Sequence, residues 1–323
     1  MRARIITASP SNKYLCIDLC HGQGSEAPPL SFFYPFRFII QMSRKGNRDQ
    51  SSTCMTKLHY KHLKRKTRRE FEKRFGGYIA ELSLNLSYSL QEKREAHTKF
   101  VIISFQRTGS TLLVSLLDSH PLIHCAGELL LNKMNSPFKY IERKSMLSNS
   151  TAFGFKLLIP HFYYQDIPDP QNFLSELHGR GYRIIKLVRR NLLLSAVSLQ
   201  YALISGLFHH NIHAGELRKE KIRVNPQDLI ERIEWIESTS QLLEKITANL
   251  PHIDVVYEDH LLLSEHHQST VNMLVDYLGL PHAIVHSDLV KTMPDDIAQY
   301  LTNADEVVQY LKATKYVQYL KSQ

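Results

Sequence analysis

The sequence predicts an α/β fold in which a mostly parallel central sheet is covered by helices on both faces. Of the 323 residues, 43% are apolar, which suffices for the core of one large domain or of two ordinary ones. Apolar runs typical of strands buried on both faces alternate along the chain with segments of helical periodicity. Because strands that alternate with helices run parallel, this order favours a three-layer arrangement.

Four apolar runs are the predicted strands. The first, Phe100–Phe105, reads FVIISF without a polar interruption, as expected for a strand with no solvent-facing side. The others are Phe153–Ile159, Tyr182–Val188 and Ile253–Glu258. Ligands of parallel sheets bind beyond the carboxyl ends of the strands. We therefore expect the functional residues in the loops that follow these runs.

The predicted helices have recognisable ends. Asn225 is a suitable N-cap, and Pro226 suits the first helical position. A proline or glycine follows each of the other segments, as is common after a helix. The predicted ranges are Thr111–Ser119, Asn191 to about Ile204, Pro226–Ile246 and Thr270–Leu278.

Positive charge is concentrated in one part of the chain. The net charge is +9, and residues 44–74 contain twelve basic residues against three acidic ones. The remainder has 28 basic and 28 acidic residues, so it is neutral. This distribution excludes a uniformly cationic nucleic-acid binder, and we expect no specific nucleic-acid partner. Within the basic segment, residues 57–75 favour a helix that stops at Gly76-Gly77.

These patterns divide the chain into three parts. We expect residues 1–41 to be disordered, residues 42–97 to form a basic and partly helical extension, and residues 98–323 to form a single catalytic domain. Four unevenly placed cysteines do not suggest a disulfide framework, so a reducing compartment, the cytoplasm, is expected. No apolar run reaches the length needed to span a membrane. Cys16, Cys20 and His21 lack a second pair at zinc spacing, so no metal site is predicted there.

The first loop with chemical character follows Phe105. It reads Gln106-Arg107-Thr108-Gly109-Ser110-Thr111 and leads from a buried strand into a helix. Successive backbone N–H groups at a helix N-terminus bind anions, and Arg107 adds a positive charge. The loop lacks the first glycine and the lysine of a Walker A motif, which disfavours a nucleotide triphosphatase.

A second loop of this kind follows Val188. It contains Arg189-Arg190-Asn191, and Ser198 lies on the helix behind it. Arg190 and Ser198 are about two helical turns apart. Because the long arginine side chain can lie along the helix, one phosphate can contact both side chains. Two anion-binding loops at one sheet edge indicate a ligand with two separate phosphate groups.

Together these segments resemble the sulfotransferase family. The tracts FVIISFQRTGSTLLVSLLDSHP and RIIKLVRRNLLLSAVS carry the resemblance, and it extends over about residues 98–323. The family implies a P-loop-like fold, 3′-phosphoadenosine-5′-phosphosulfate (PAPS) as co-substrate, adenosine 3′,5′-bisphosphate (PAP) as product, and no metal. The tail from Leu301 is similar to the bacterial and tyrosylprotein-like branch.

The resemblance implies roles for individual residues. The loop Arg107, Thr108, Gly109, Ser110 and Thr111 is similar to the family's 5′-phosphosulfate loop, and the spacing of Arg190 and Ser198 is similar to its 3′-phosphate site. Tyr257, in VVYEDHL, corresponds to a residue that helps to hold the nucleotide. Lys291 lies where relatives have a basic residue that closes over the 3′-phosphate.

The resemblance also indicates a catalytic base. In tyrosylprotein-like relatives a glutamate follows the loop arginine at the spacing seen here between Arg107 and Glu128. Relatives usually carry a second acidic residue where this chain has Gly127. Lys156 is similar to a lysine that stabilises the transferring sulfuryl group. His161 is the competing base, ranked lower because its spacing from Lys156 departs from the cytosolic branch.

The acceptor stays open at this stage. A hydroxyl on a carbohydrate, a protein tyrosine or a small molecule fits, anionic acceptors included. His209, His210 and His213 lack a carboxylate at matching spacing, so we expect an acceptor-side loop there rather than a metal site. Two other classes compete: a divergent P-loop kinase or NTPase with VVYED as its Walker B segment, and a non-catalytic protein that binds polyanions through the basic segment.

Overall fold

The computed structural model describes residues 2–6, 15–20, 31–34, 76–93, 96–206, 220–289 and 296–320. The chain divides into two units, Met1–His62 and Leu63–Gln323. In the first unit, β1 (Arg2–Ile6), β2 (Leu15–Cys20) and β3 (Ser31–Tyr34) form an antiparallel sheet in the order β1-β2-β3. The sequence predicts disorder for residues 1–41, because they show no periodic pattern. Strands of four to six residues are too short to give such a pattern, so the sequence does not reveal this sheet. The boundaries after residues 41 and 97 stay predictions.

The second unit contains a five-stranded parallel sheet. Its strands are β4 (Thr98–Ser104), β5 (Ile123–Glu128), β6 (Ala152–Leu158), β7 (Tyr182–Val188) and β8 (His252–Val256). They lie in the order β5-β6-β4-β7-β8, and every neighbouring pair is parallel. This confirms the predicted α/β fold class with its mostly parallel sheet.

Helices connect and cover these strands. Residues 76–90 form α1. The others are α2 (Ser110–Asp118), α3 (Pro137–Met146), α4 (Ile159–Tyr164), α5 (Pro170–Gly179), α6 (Leu192–Ser205), α7 (Pro226–Thr247), α8 (Tyr257–His260), α9 (His267–Leu278) and α10 (Ala304–Lys312). As predicted, the Asn225 side chain accepts a hydrogen bond from the N–H of Gln227 at the start of α7, at 2.8 Å.

The sheet separates two apolar cores. Phe100 and Ile102 of β4 are fully buried in the core that also contains α2 and α9. Val101 and Ile103 are fully buried in the opposite core, with α3, α5, α6 and α7. Because successive side chains of a strand point to opposite faces, this explains the uninterrupted FVIISF run. The second unit therefore has the three layers that the sequence predicts.

The strand order locates a crevice at the end of β4. From β4 the chain crosses to β5 and β6 on one side, and then to β7 and β8 on the other. Ligands of open parallel sheets bind at such a reversal, outside the carboxyl ends of the strands. The loop after β4 lies at this position.

Three expectations about elements need correction. Strand β5 has no counterpart among the predicted strands, because its sequence, IHCAGE, alternates buried and exposed residues instead of forming an apolar run. The predicted strand Ile253–Glu258 ends at Val256, since Tyr257 begins α8. The expected stop at Gly76-Gly77 is wrong, because both glycines are helical. Gly77 instead permits close packing, since a Cβ there would overlap the Lys133 carbonyl. The predicted helix at 57–75 lies outside the described residues.

Helix α1 packs against the body of the second unit. Leu84 is buried in the core that contains α3. The Glu81 carboxylate accepts hydrogen bonds from the Ser136 N–H at 2.9 Å and from the Asn135 amide at 2.7 Å. Among the described residues, none of the helices has both the length and the apolar character needed to cross a bilayer.

Candidate active site

The loop between β4 and α2 is tightly folded at its centre. Arg107 and Gly109 have φ angles of 64° and 85°, in the left-handed region. Thr108 is fully buried, and its hydroxyl donates to the carbonyl of Phe105 at 3.1 Å. A Cβ on Gly109 would lie 2.6 Å from Cδ2 of Tyr257, so only glycine fits. Because Gly109 has no side chain to cap α2, the helix N-terminus beginning at Ser110 suits an anion.

Arg107 is held inside the crevice. Its Nε donates to Oγ of Ser198, on α6, at 2.8 Å. Arg189, at the end of β7, donates to the Arg107 carbonyl at 3.1 Å. Burial, and then the positive charge of Arg189, lower the pKa of Arg107 to about 10. Arg107 remains charged at neutral pH, so two guanidinium groups lie close together and favour an anionic ligand.

Tyr257 lies between these groups. It is the first residue of α8, and its ring contacts the position that a Gly109 side chain would need. The Arg189 guanidinium lies 4.5 Å from the centroid of the same ring, a cation–π distance. The structure thus brings Tyr257 to the predicted phosphate loop. It also places Arg189 closer to that loop than Arg190, although Arg189 is not among the predicted site residues.

Arg190 points elsewhere. Its side chain is 62% exposed and donates to both carboxylate oxygens of Asp259, one of them at 2.7 Å. The hydrogen bond to Asp259 raises the pKa of Arg190. Ser198, by contrast, is buried and bonded to Arg107. The structure therefore does not bring Arg190 and Ser198 to a shared partner, although Arg190 lies just after β7 and Ser198 lies on α6, the helix that follows.

A carboxylate accepts hydrogen bonds from backbone N–H groups at the start of α6. Glu258 accepts the N–H of Arg190 and the N–H of Asn191, each at 3.0 Å. An anion at a helix N-terminus is favourable, and here the chain supplies its own. Both acidic residues are visible in the tract VVYED, but nothing in the sequence indicates that they pair with the RRN segment.

A second cluster lies at the ends of β5 and β6. Glu128 and Lys156 are paired in the register of the two strands, beside an irregularity between Ala126 and Glu128. The Lys156 ammonium lies 2.8 Å from Oε1 of Glu128 and donates to Oγ1 of Thr111, on α2, at 3.1 Å. Lys156 is buried, whereas Glu128 is partly exposed. One ammonium therefore joins the predicted base to the predicted phosphate loop.

His161 completes this cluster from α4. Its Nε2 lies 3.1 Å from Oε2 of Glu128. Partial burial opposes ionisation of Glu128, but the hydrogen bonds from His161 and Lys156 and the charge of Lys156 outweigh it and lower its pKa to about 2. The two competing base candidates are hydrogen-bonded partners. Neighbouring Gly127 faces open space, since a Cβ there would meet nothing within 4 Å.

The remaining predicted residues lie outside the described part of the chain. These are Lys291 and the three histidines His209, His210 and His213. Within the described ranges, the structure contains no group of three or more histidine, cysteine or acidic side chains arranged to hold a metal ion.

Comparisons with known proteins give structural matches only. The sequence matches no protein-family model and no curated protein. Among the solved structures that are similar to the chain are two sulfotransferases. One is a sulfotransferase from Alicyclobacillus acidocaldarius, with a TM-score of 0.41, 13% identity, and coverage of 68% of this chain and 95% of that one. The other is the sulfotransferase domain from the Synechococcus PCC 7002 olefin synthase, with a TM-score of 0.37, 14% identity, and coverage of 72% and 96%.

Proposed function

We propose that this chain is a sulfotransferase that moves a sulfuryl group from PAPS to an acceptor hydroxyl. The observation that carries the proposal is the position of Lys156. Its ammonium contacts Thr111 of the anion-binding loop and Glu128, a partly exposed carboxylate. An anion site and a carboxylate base joined by one buried cation suit group transfer from an anionic donor to a hydroxyl.

The residues around the crevice suit a nucleotide with two phosphate groups. In the proposal, the backbone from Thr108 to Thr111 and the Arg107 side chain hold the 5′-phosphosulfate. Arg190 and Ser198 hold the 3′-phosphate, which requires Arg190 to leave Asp259. Tyr257, packed on the loop, supports the nucleotide, and Lys291 is proposed to close over the 3′-phosphate.

The chemistry follows from the charges of these groups. Glu128 accepts the proton of the acceptor hydroxyl while the hydroxyl oxygen forms a bond to sulfur. The bond between sulfur and the 5′-phosphate oxygen breaks, and its electron pair leaves with PAP. Arg107, the loop amides and Lys156 stabilise the negative charge that develops on the leaving oxygen. The lowered pKa keeps Glu128 ionised at neutral pH, and the carboxylate takes the proton as the hydroxyl oxygen forms its bond to sulfur.

A transfer assay tests the proposal. The protein is incubated with ³⁵S-labelled PAPS and a panel of phenols, sugars, alcohols and tyrosine peptides, in the presence of a metal chelator. We expect label in at least one acceptor and stoichiometric PAP, with no activity from the Arg107→Ala variant. Transfer of phosphate from Mg²⁺-ATP, with no label moved from PAPS, would instead support the kinase alternative.

A further inference from the structure

The imidazole of His161 is locked between two partners. It lies in the first turn of α4, directly after β6. The backbone N–H of Leu158, the last residue of β6, donates to its Nδ1 at 3.2 Å. Its Nε2 faces Oε2 of Glu128 at 3.1 Å. The side chain is 1% exposed.

These contacts define where the ring proton lies. Because Nδ1 accepts from a backbone N–H, it carries no proton, so the proton of the neutral ring is on Nε2 and points to Glu128. A ring so deeply buried does not reach an acceptor molecule. Nor can Nε2, already protonated, take a proton from Glu128. His161 is therefore neither the base nor a relay that removes the proton from Glu128.

We infer that His161 is a positioning residue, which holds the Glu128 carboxylate in the orientation from which it accepts the acceptor's proton. The inference rests on the proposed function, because it assigns Glu128 the role of base. The carboxylate is held by two donors from different elements, Lys156 of β6 and His161 of α4. Lys156 is shared with Thr111, whereas among the described residues Nε2 of His161 bonds Glu128 alone.

The charges around Glu128 give this role a measurable signature. Lys156 and His161 are the groups that act on its ionisation, and both favour the carboxylate form. Removing the His161 donor raises the pKa of Glu128 toward its ordinary value. Since the carboxylate is the active form, activity is lost as pH falls through this pKa. The acid limb of the rate profile therefore moves to higher pH when His161 is replaced.

The chain offers a matched control. His120 is also a buried histidine whose Nδ1 accepts a backbone N–H, from Leu122 at 3.2 Å. Its Nε2 lies 2.9 Å from the Pro281 carbonyl instead of a carboxylate. The variants are His161→Phe, which removes the donor, His161→Gln, which offers an amide N–H in its place, and His120→Phe.

The experiment combines a titration with kinetics. In the full-length protein, the ¹³C signal of the Glu128 carboxyl is followed against pH, and kcat, acceptor KM and PAP affinity are measured for each variant. We expect His161→Phe to move both the carboxyl titration and the acid limb of the rate profile to higher pH. The same variant should lower kcat about 10- to 100-fold. His161→Gln should recover much of the rate. His120→Phe should change neither the titration nor kcat, and PAP affinity should stay within a few-fold throughout.

Each outcome bears on one claim. An unchanged carboxyl titration and unchanged kcat in His161→Phe would overturn the positioning role. So would equal losses in His161→Phe and His120→Phe, because they indicate a purely structural effect. If the titration shifts as expected but the wild-type protein transfers no sulfuryl group, the proposed function fails while the Glu128–His161 pairing stands.

Discussion

The two flanks of the crevice differ in how their charged groups are held. On the β5–β6 flank, Lys156 and His161 are buried and both contact Glu128. On the β7–β8 flank, Arg190 is exposed and paired with an exposed Asp259. The first flank keeps its polar groups fixed in a site of low exposure, where electrostatic interactions are strong. The second leaves its cation in solvent with a partner that a ligand can replace.

This difference indicates a division of labour. Preorganised groups that need not move during reaction are the larger source of catalytic rate, and the β5–β6 flank has this character. An exposed ion pair contributes little to stability, so exchanging Asp259 for a phosphate costs little. We therefore expect substitutions on the first flank to act on kcat and substitutions on the second to act on nucleotide affinity.

The largest expected effect is that of Glu128→Gln, which keeps the shape of the side chain but cannot accept the proton. General-base catalysis contributes about 10²- to 10⁴-fold, so kcat should fall by that factor. Single-turnover transfer from labelled PAPS measures it. PAP affinity should remain within a few-fold of wild type, because other residues hold the phosphates. Normal turnover by this variant would show that Glu128 is not the base.

Arg190→Ala should act on affinity instead. Loss of a charge-assisted hydrogen bond to the 3′-phosphate should lower PAP affinity by about one to two orders of magnitude. Binding of 5′-AMP, which lacks the 3′-phosphate, should hardly change. Calorimetry with both ligands tests this. Equal losses for the two ligands would mean that Arg190 does not contact the 3′-phosphate.

Asp259→Asn should change the PAP affinity in the opposite direction to Arg190→Ala. The variant frees Arg190 from its competing carboxylate, so PAP should bind more tightly. Because exposed ion pairs are weak, the gain should be at most about five-fold. The affinity for 5′-AMP serves as the control and should not respond. A weaker affinity for PAP would indicate that Asp259 orients Arg190 for binding instead of competing for it.

The smallest effect is expected from deleting residues 1–41. This segment belongs to the unit Met1–His62, whereas both flanks of the crevice belong to Leu63–Gln323. We expect PAP affinity to be unchanged and the melting temperature to move by less than about 2 °C, in line with a loss below ~1 kcal/mol. Thermal unfolding of the truncated protein provides the measurement, and a larger drop would show that the segment stabilises the second unit.

Much of the fold was predictable because the sheet is buried on both faces. An uninterrupted apolar run such as Tyr182–Val188 has a clear signal, and β7 has those bounds. Strand β5 was missed because half of its side chains are polar or exposed. The resemblance indicates Glu128 by its spacing from Arg107 alone, and the structure shows that it is the last residue of β5.

The contacts within the site were harder to predict than its residues. The bond between Glu128 and His161 depends on the parallel register of β5 and β6 and on the first turn of α4. Spacing along the chain indicates neither feature, so the sequence presents the two residues as competing bases. Similarly, Arg190 and its neighbour Arg189 look equivalent in sequence. Only the end of β7 determines that Arg189 turns to the loop and Arg190 to Asp259.

The proposed function requires that this crevice hold a nucleotide with separate 3′- and 5′-phosphate groups. Titration calorimetry of the wild-type protein with PAP, 5′-AMP and ATP, in a metal chelator and then with Mg²⁺, tests it most directly. We predict that PAP binds without metal and at least about tenfold more tightly than 5′-AMP or ATP, because only PAP places a phosphate in the proposed 3′ site. Tighter binding of Mg²⁺-ATP than of PAP, or equal affinity for PAP and 5′-AMP, would contradict it.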